Sequence, residues 1–285
     1  MEKFYEKEIK QVPEVNGWRE VINLPVVISE KQWDLGELEN VLREAMEAIV
    51  KKSLADNDGK IYTTLSGGVD SSLALAMIAE ICPPDTEIHT FTLGGSQKHP
   101  DIQFARQVAR QFNTIHHEFI IDAEAKKQTT EEFRQFFGDS PATDKMLARE
   151  DVNTWLLYRL VAETPAKSII AHDGIDELMG GYWRHRESSQ GGREKQEGVF
   201  KKFWRELESE HLLPLEEIAE KFGIKLLLPY LQKAVVQYIS AIPVNERASF
   251  KSGKMPLKAI AEEYVWPKEV VHRKKIGFVD ATKSE

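Results

Sequence analysis

Residues 66–72 read Ser-Gly-Gly-Val-Asp-Ser-Ser, between the apolar run Ile61–Leu65 and a stretch of helical spacing, Ser71–Ile81. A strand, a glycine turn and a helix in that order form a cradle for phosphate. The turn brings backbone N–H groups close, and the helix N-terminus adds unsatisfied donors and partial positive charge. Gly67 and Gly68 permit the approach. Ser66, Ser71 and Ser72 add hydroxyl donors, and Asp70 can hold a magnesium ion or cap the helix. A plain capped turn requires neither the aspartate nor the second serine after Gly-Gly. No Gly-x-x-x-x-Gly-Lys-Ser/Thr occurs in the chain, which excludes a Walker A loop.

The surrounding pattern is that of an α/β protein. Leu38, Val41, Leu42, Ala45, Ala48 and Ile49 fall at helical spacing behind a candidate N-cap, Asp34. After the turn Asn57-Asp58-Gly59 and the loop strand, the expected elements are a strand over Glu87–Leu93, a helix over Pro100–Phe112 and a strand over His116–Ile121. A helix over Glu150–Ala162 and a short buried strand at Ser168–Ala171 follow. This alternation predicts a mostly parallel sheet with helices on both faces, and ligands in such sheets bind at the carboxyl ends of the strands. The glycine loop and the segment Asp173–Glu177 each follow a strand, so both are expected on that rim. Leu24–Ile28 suits a short strand, Arg184–Gly198 a mobile loop, and Lys201–Tyr264 reads as helices. Residues 1–35 are read as an N-terminal extension and 36–285 as the domain proper.

Three classes of function are disfavoured. The net charge is −8, from 38 basic and 46 acidic side chains, which argues against a nucleic-acid partner despite the local cluster His272-Arg-Lys-Lys275. Cys82 is the only cysteine, so no disulfide framework or multi-cysteine metal site is available, as suits a reducing cytoplasm. No run approaches the about 18 apolar residues of a membrane span, and Met1–Lys7 lacks a signal-peptide core.

Several ordered motifs resemble the asparagine synthetase family, within the enzymes that use a pyrophosphate loop to split ATP between its α and β phosphates. They are Leu65-Ser-Gly-Gly-Val-Asp-Ser-Ser72; His99-Pro-Asp101 with Ala105-Arg-Gln-Val-Ala109 and His116-His-Glu118; and His172-Asp-Gly-Ile-Asp-Glu-Leu-Met-Gly-Gly-Tyr182. Pro229-Tyr-Leu231, Lys254–Lys258, Pro267 and Arg273-Lys-Lys-Ile-Gly-Phe278 complete the set, which spans roughly residues 36–278. The resemblance implies a synthetase domain that adenylates a carboxylate, aspartate by default, and passes the acyl group to ammonia or an amine. ATP and Mg²⁺ are the implied cofactors. Asp70 and Asp176 match the family's metal-holding aspartates. Leu65, Leu93, Ala171 and His172 match positions that frame the adenosine. Lys275 matches a lysine that stabilises the charged transition states, and Asp173 the acidic residue that deals with the incoming amine or the intermediate.

Simpler readings stand beside these. Asp173 also suits a helix N-cap, Lys275 also fits a solvated basic run, and His116-His117 fit ordinary polar residues at a strand rather than a metal site. The pattern also departs from the family. Glu2 stands where a glutaminase would carry cysteine, so the expected nitrogen source is free ammonia, a separate glutaminase subunit or an amine on another substrate. His172-Asp173 replace Gly-Glu, Leu227 and Gln232 replace the Arg and Asp around Pro-Phe-Leu, and the chain ends soon after Phe278. These departures leave two further readings: a related ligase that closes a β-lactam or peptide ring, and a non-catalytic nucleotide-binding regulator. Sulfur or nitrogen transfer to a nucleotide or RNA fits poorly with one cysteine and an acidic chain.

Overall fold

The computed structural model describes residues 15–27, 32–149 and 151–273. Among these residues five strands form one parallel sheet: β1 (Ile61–Thr64), β2 (Ile88–Gly94), β3 (Ile115–Ile120), β4 (Ser168–Ile170) and β5 (Lys225–Leu227). Helix α1 (Leu35–Asp56) precedes β1; α2 (Val69–Ile81) leads to β2 and α3 (Pro100–Gln111) to β3, and α4 (Ala123–Phe137), α5 (Pro141–Ala148) and α6 (Asp151–Val161) lie between β3 and β4. Short α7 (Ile175–Met179) and α8 (Trp183–Ser188) follow β4, then α9 (Arg193–Leu207), a π-helical turn at Glu208–Leu212 and α10 (Leu213–Lys221). Beyond β5 come α11 (Lys233–Ala241), α12 (Val244–Arg247), α13 (Met255–Tyr264) and α14 (Glu269–His272).

Side chains alternate across each strand, so the sheet buries two cores. Ile61, Ile88 and Ile170 face a layer containing α1, α2, α3, α11 and α13. Tyr62, Phe91 and Ile169 face the opposite layer, built from α4, α6 and α10. The expected α/β fold with helices on both faces is therefore observed. Asp34 caps α1 by accepting a hydrogen bond from Glu37 N–H at 3.0 Å. Among the described residues no helix is long and apolar enough to cross a membrane.

Strand order is β3-β2-β1-β4-β5. The chain winds outward from β1 through β2 to β3, then returns to place β4 on the other side of β1. The loops leaving β1 and β4 consequently part in opposite directions, and a crevice opens between them at the carboxyl ends of the strands.

Three local expectations are corrected. Arg184–Gly198 is not a loop: α8 and the start of α9 occupy it, anchored by the buried polar residues His185, Ser188 and Gln196. His185 is buried against Phe200 and Phe203, and buried Gln196 donates to the Ala248 carbonyl at 2.7 Å. Lys201–Tyr264 is not wholly helical, since β5 adds an edge strand paired with β4. Nor is Leu24–Ile28 a strand at its described residues, 24–27, and Ile28 lies outside the described residues. There the chain turns so that Trp18, Val21, Ile22 and Val26 enter the larger core, with Trp204 Nε1 donating to the Leu24 carbonyl at 3.0 Å.

Candidate active site

The crevice between the β1 and β4 loops is the floor of a cavity of about 1100 Å³. That volume suits a nucleotide with a second substrate beside it. One wall is the glycine loop. Gly67 has φ +64, and a Cβ there would lie 2.5 Å from the Ala105 amide nitrogen, so only glycine lets the loop settle on α3. The loop holds its own shape: Ser66 N–H donates to Ser71 Oγ at 3.1 Å, and Ser71 Oγ donates to the Gly68 carbonyl at 3.3 Å. The first N–H groups of α2, which no helical turn satisfies, face the same space. Two outer contacts clamp the loop from the C-terminal part of the chain. Tyr230 of the Pro229-Tyr-Leu231 motif donates to the Asp70 carbonyl at 2.8 Å. Arg273 donates to the Ser66 carbonyl at 3.0 Å while its other amino group meets Asp101 at 2.5 Å.

Leu65, Ser66, Gly68, Asp70 and Ser71 line the cavity from this side. Leu93, Ala171, His172, Asp173 and Asp176 line it from β2 and the β4 loop. Gly67 and Ser72 stand behind the wall, Ser72 fully buried inside α2. Lys275 lies outside the described residues. The capping alternatives for the aspartates are not observed. Gly68 is the N-cap of α2 and Gly174 that of α7, so both Asp70 and Asp173 send their carboxylates elsewhere.

Asp70 and Asp176 converge on one atom, the ammonium of Lys254. Asp176 Oδ1 lies 2.7 Å from it, and Asp70 Oδ2 forms a second, shorter contact. Lys254 is buried; burial works to lower its pKa, but the two carboxylates outweigh that and hold the charge on. The close approach depends on Gly181, where a Cβ would sit 1.6 Å from Asp176 Oδ1 and 2.5 Å from Lys254 Cε. Two converging carboxylates that already enclose a positive charge are a fitting donor set for a hard divalent cation shared with phosphate oxygens.

Asp173 turns the other way. Its Oδ1 is 2.5 Å from His211 Nε2, on the π-helical turn between α9 and α10. His172 donates from Nε2 to the Thr64 carbonyl at 3.0 Å, and burial pushes its pKa down, so a neutral ring stands at the end of β1. Next to it Glu177 is buried and raised by desolvation, with Tyr182 Oη donating to it at 2.8 Å. Farther along the rim stand cations. Lys258 donates to Ser252 Oγ at 3.0 Å, and its pKa is pushed down by burial and by Lys254 and Arg186. Arg186 lies 5.1 Å over the ring of Trp183, which meets Phe250 edge-on at 5.6 Å; both aromatics are about half exposed, at 52% and 43%.

Sequence reasoning missed Lys254, His211, Arg186 and Trp183 as site residues. Lys254 and Lys258 belonged to a recognised motif but carried no assigned role, and nothing local marked the other three. His89 Nδ1 and His117 Nε2 are 3.0 Å apart in a stack of rings along the sheet, and burial pushes His116 down to about 4. No group of three or more His, Cys, Asp or Glu side chains that could hold a metal ion occurs among the described residues. Cys82, half-buried, has its thiol pushed up to about 12 by burial and is no nucleophile at neutral pH.

The family model described as asparagine synthase matches residues 41–212 and 191–285. Over 263 residues the chain is 29% identical to the glutamine-hydrolysing asparagine synthetase of Mus musculus, covering 88% of this chain and 45% of that protein. Over 262 residues it is 30% identical to that of Bos taurus, covering 87% of this chain and 45% of that protein. The chain thus spans less than half the length of these relatives. Among solved structures, an NMN synthetase from Francisella tularensis aligns with a TM-score of 0.36 at 14% identity, covering 86% of this chain and 98% of that one.

Proposed function

The chain belongs to the asparagine synthase family, and from that premise we propose that it is an ATP-dependent carbon–nitrogen ligase that adenylates a carboxylate and transfers the acyl group to ammonia or an amine. The observation that carries this is the convergence of Asp70 and Asp176 on one buried cationic position beside the glycine loop. A carboxylate is a poor acyl donor because oxide would have to leave. Attack on the α phosphorus makes AMP the leaving group instead, and requires concentrated positive charge on the departing pyrophosphate. Here the loop N–H groups, Ser66, Ser71 and Lys254 supply that charge and those donors. Asp70 and Asp176 would hold Mg²⁺, which neutralises charge on the phosphates when bound. Leu65, Leu93, Ala171 and His172 would frame the adenosine, with His172 neutral so that no charge faces the base. Lys275 is proposed to stabilise the negative charge that builds at phosphorus and at the acyl carbon.

Aspartate with ammonia, giving asparagine, is the first substrate pair to test. We propose that the nitrogen comes from free ammonia, a separate glutaminase subunit or a substrate amine, the Cys82 thiol being pushed up by burial. A second acceptor class is favoured by one observation: the half-exposed Trp183–Phe250 pair, with the Arg186 guanidinium over the Trp183 ring, offers an apolar platform next to a cation. That arrangement suits a larger carboxylate with an apolar body, as in a ring-forming ligase.

The test is release of pyrophosphate and AMP from ATP and Mg²⁺ with aspartate plus ammonium, run against a panel of aliphatic and aryl carboxylates. Carboxylate-dependent AMP is the expected result, and the panel ranks the acceptors. ATP binding without AMP for every carboxylate would instead favour the regulator reading. Lys275→Ala is expected to lower turnover at least ~100-fold while ATP affinity, read by fluorescence titration, stays within about threefold.

A further inference from the structure

We propose that His211 is the catalytic base of the second half-reaction, taking the proton from the amine that attacks the acyl-adenylate, with Asp173 orienting it. The assignment rests on the reading above and adds to it a residue no motif marked. His211 lines the same cavity as the glycine loop, and its side chain is 44% exposed there. The turn that carries it is π-helical, a form that moves side chains out of α register and recurs at functional sites. Its Nε2 faces Asp173 Oδ1 at 2.5 Å, so the carboxylate fixes the ring while Nδ1 has no protein partner among the described residues. A carboxylate behind one imidazole nitrogen makes the other the proton acceptor.

The surrounding carboxylates leave this pairing intact. Asp151 is met by Arg149 at 2.8 Å, and the other amino group of Arg149 meets Glu210 at 2.7 Å. Glu177 is bonded by Tyr182. Partial desolvation in the cavity works to lower the pKa of His211, but the hydrogen bond and charge of Asp173, aided by Glu177 and Asp151, outweigh that and raise it to about 9. The balance of the step is simple. The amine nitrogen bonds to the acyl carbon, its proton passes to His211 Nδ1, and the C–O bond to AMP breaks as the carbonyl re-forms. The products are amide, AMP and an imidazolium that returns its proton to solvent.

A base with a raised pKa acts only after it is deprotonated. Amide formation should therefore rise with pH through neutrality and level off near 9. Hydroxylamine, already a free base at neutral pH, keeps the titration of the nucleophile out of that profile. His211→Gln in the full chain is expected to lower hydroxamate formation from the best carboxylate of the panel by ~10²–10⁴ and to flatten the profile. Exchange of labelled pyrophosphate into ATP with the same carboxylate should fall no more than about threefold. In Asp173→Asn the pH limb should move down toward the ordinary histidine range. Equal loss of both reactions in His211→Gln, with the profile of the residual activity unchanged, marks a structural role and overturns the proposal, as does an unchanged hydroxamate rate. Absence of carboxylate-dependent exchange in the unmodified protein overturns the adenylation reading and this assignment together, which separates that failure from a failure of His211 alone.

Discussion

Lys254→Met is expected to lose stability and pyrophosphate exchange together, and to regain part of the stability when Mg²⁺ is added. Lys254 sits with φ +56 at the start of α13, a left-handed backbone that methionine shares at similar cost, so the substitution isolates the ammonium. Without it, Asp70 and Asp176 face one another across a largely buried gap. Stranding like charges in this way costs about 3–5 kcal/mol. Urea denaturation should show the loss as a lower midpoint. Millimolar Mg²⁺ should raise the melting temperature of the variant more than that of the unmodified protein, because a divalent ion can enter the place the ammonium held. On the proposed function, in which Lys254 supplies charge to the departing pyrophosphate, exchange should fall at least ~100-fold. Equal effects of Mg²⁺ on both proteins would show that the two aspartates do not form the ion's site.

Arg247→Met should be the most destabilising change far from the chemistry. The guanidinium is fully buried over Phe200, and its charge is met by carbonyl oxygens. Nε donates to Ile242 at 2.7 Å, Nη1 to Val26 and Leu178 at 3.0 Å each, and Nη2 to Ser240 at 3.2 Å. Burial lowers its pKa to about 9, which still leaves it charged at neutral pH. The four carbonyls come from the N-terminal segment, from α7 and from the end of α11, so one side chain pins three parts of the fold. Methionine fills much of the volume but leaves those acceptors without a donor, a loss of roughly 4 kcal/mol at about 1 kcal/mol for each bond. Urea unfolding should show the shift in midpoint. ATP affinity should weaken a few-fold as well, because Leu178 lies two residues from Asp176. A shift under 1 kcal/mol would mean that water replaces the donors.

Local order was legible wherever a short segment carries its own signal. Strands β1 to β4, the Asp34 cap and the Pro100 start of α3 follow from apolar runs, capping chemistry and proline placement. Several elements were not legible, α4 and α5 among them, and two show why. In β5, Lys225-Leu226-Leu227 is too short for a period, and its strand character comes from pairing with β4. In α8, polar His185 and Ser188 resemble a solvated loop until Phe200 and Phe203 cover the histidine. The site divides in the same way. Asp70, Asp173 and Asp176 could be placed on the rim because each follows a strand closely. Lys254 is 184 residues from Asp70, and His211 is 38 residues from Asp173, with no spacing rule to join them.

By itself the sequence determined the elements and the loop chemistry: a strand, two glycines and a helix start make a phosphate cradle from contacts a few residues apart. Tertiary structure decided the rest. The return of β4 to the far side of β1 opens the crevice, and packing of α13 and the π-helical turn around it selects which cation meets the two aspartates and which imidazole meets Asp173. Those choices depend on the summed burial of two cores and on where the crossovers run. No local propensity encodes them, because the partners approach one another only after the whole sheet has assembled.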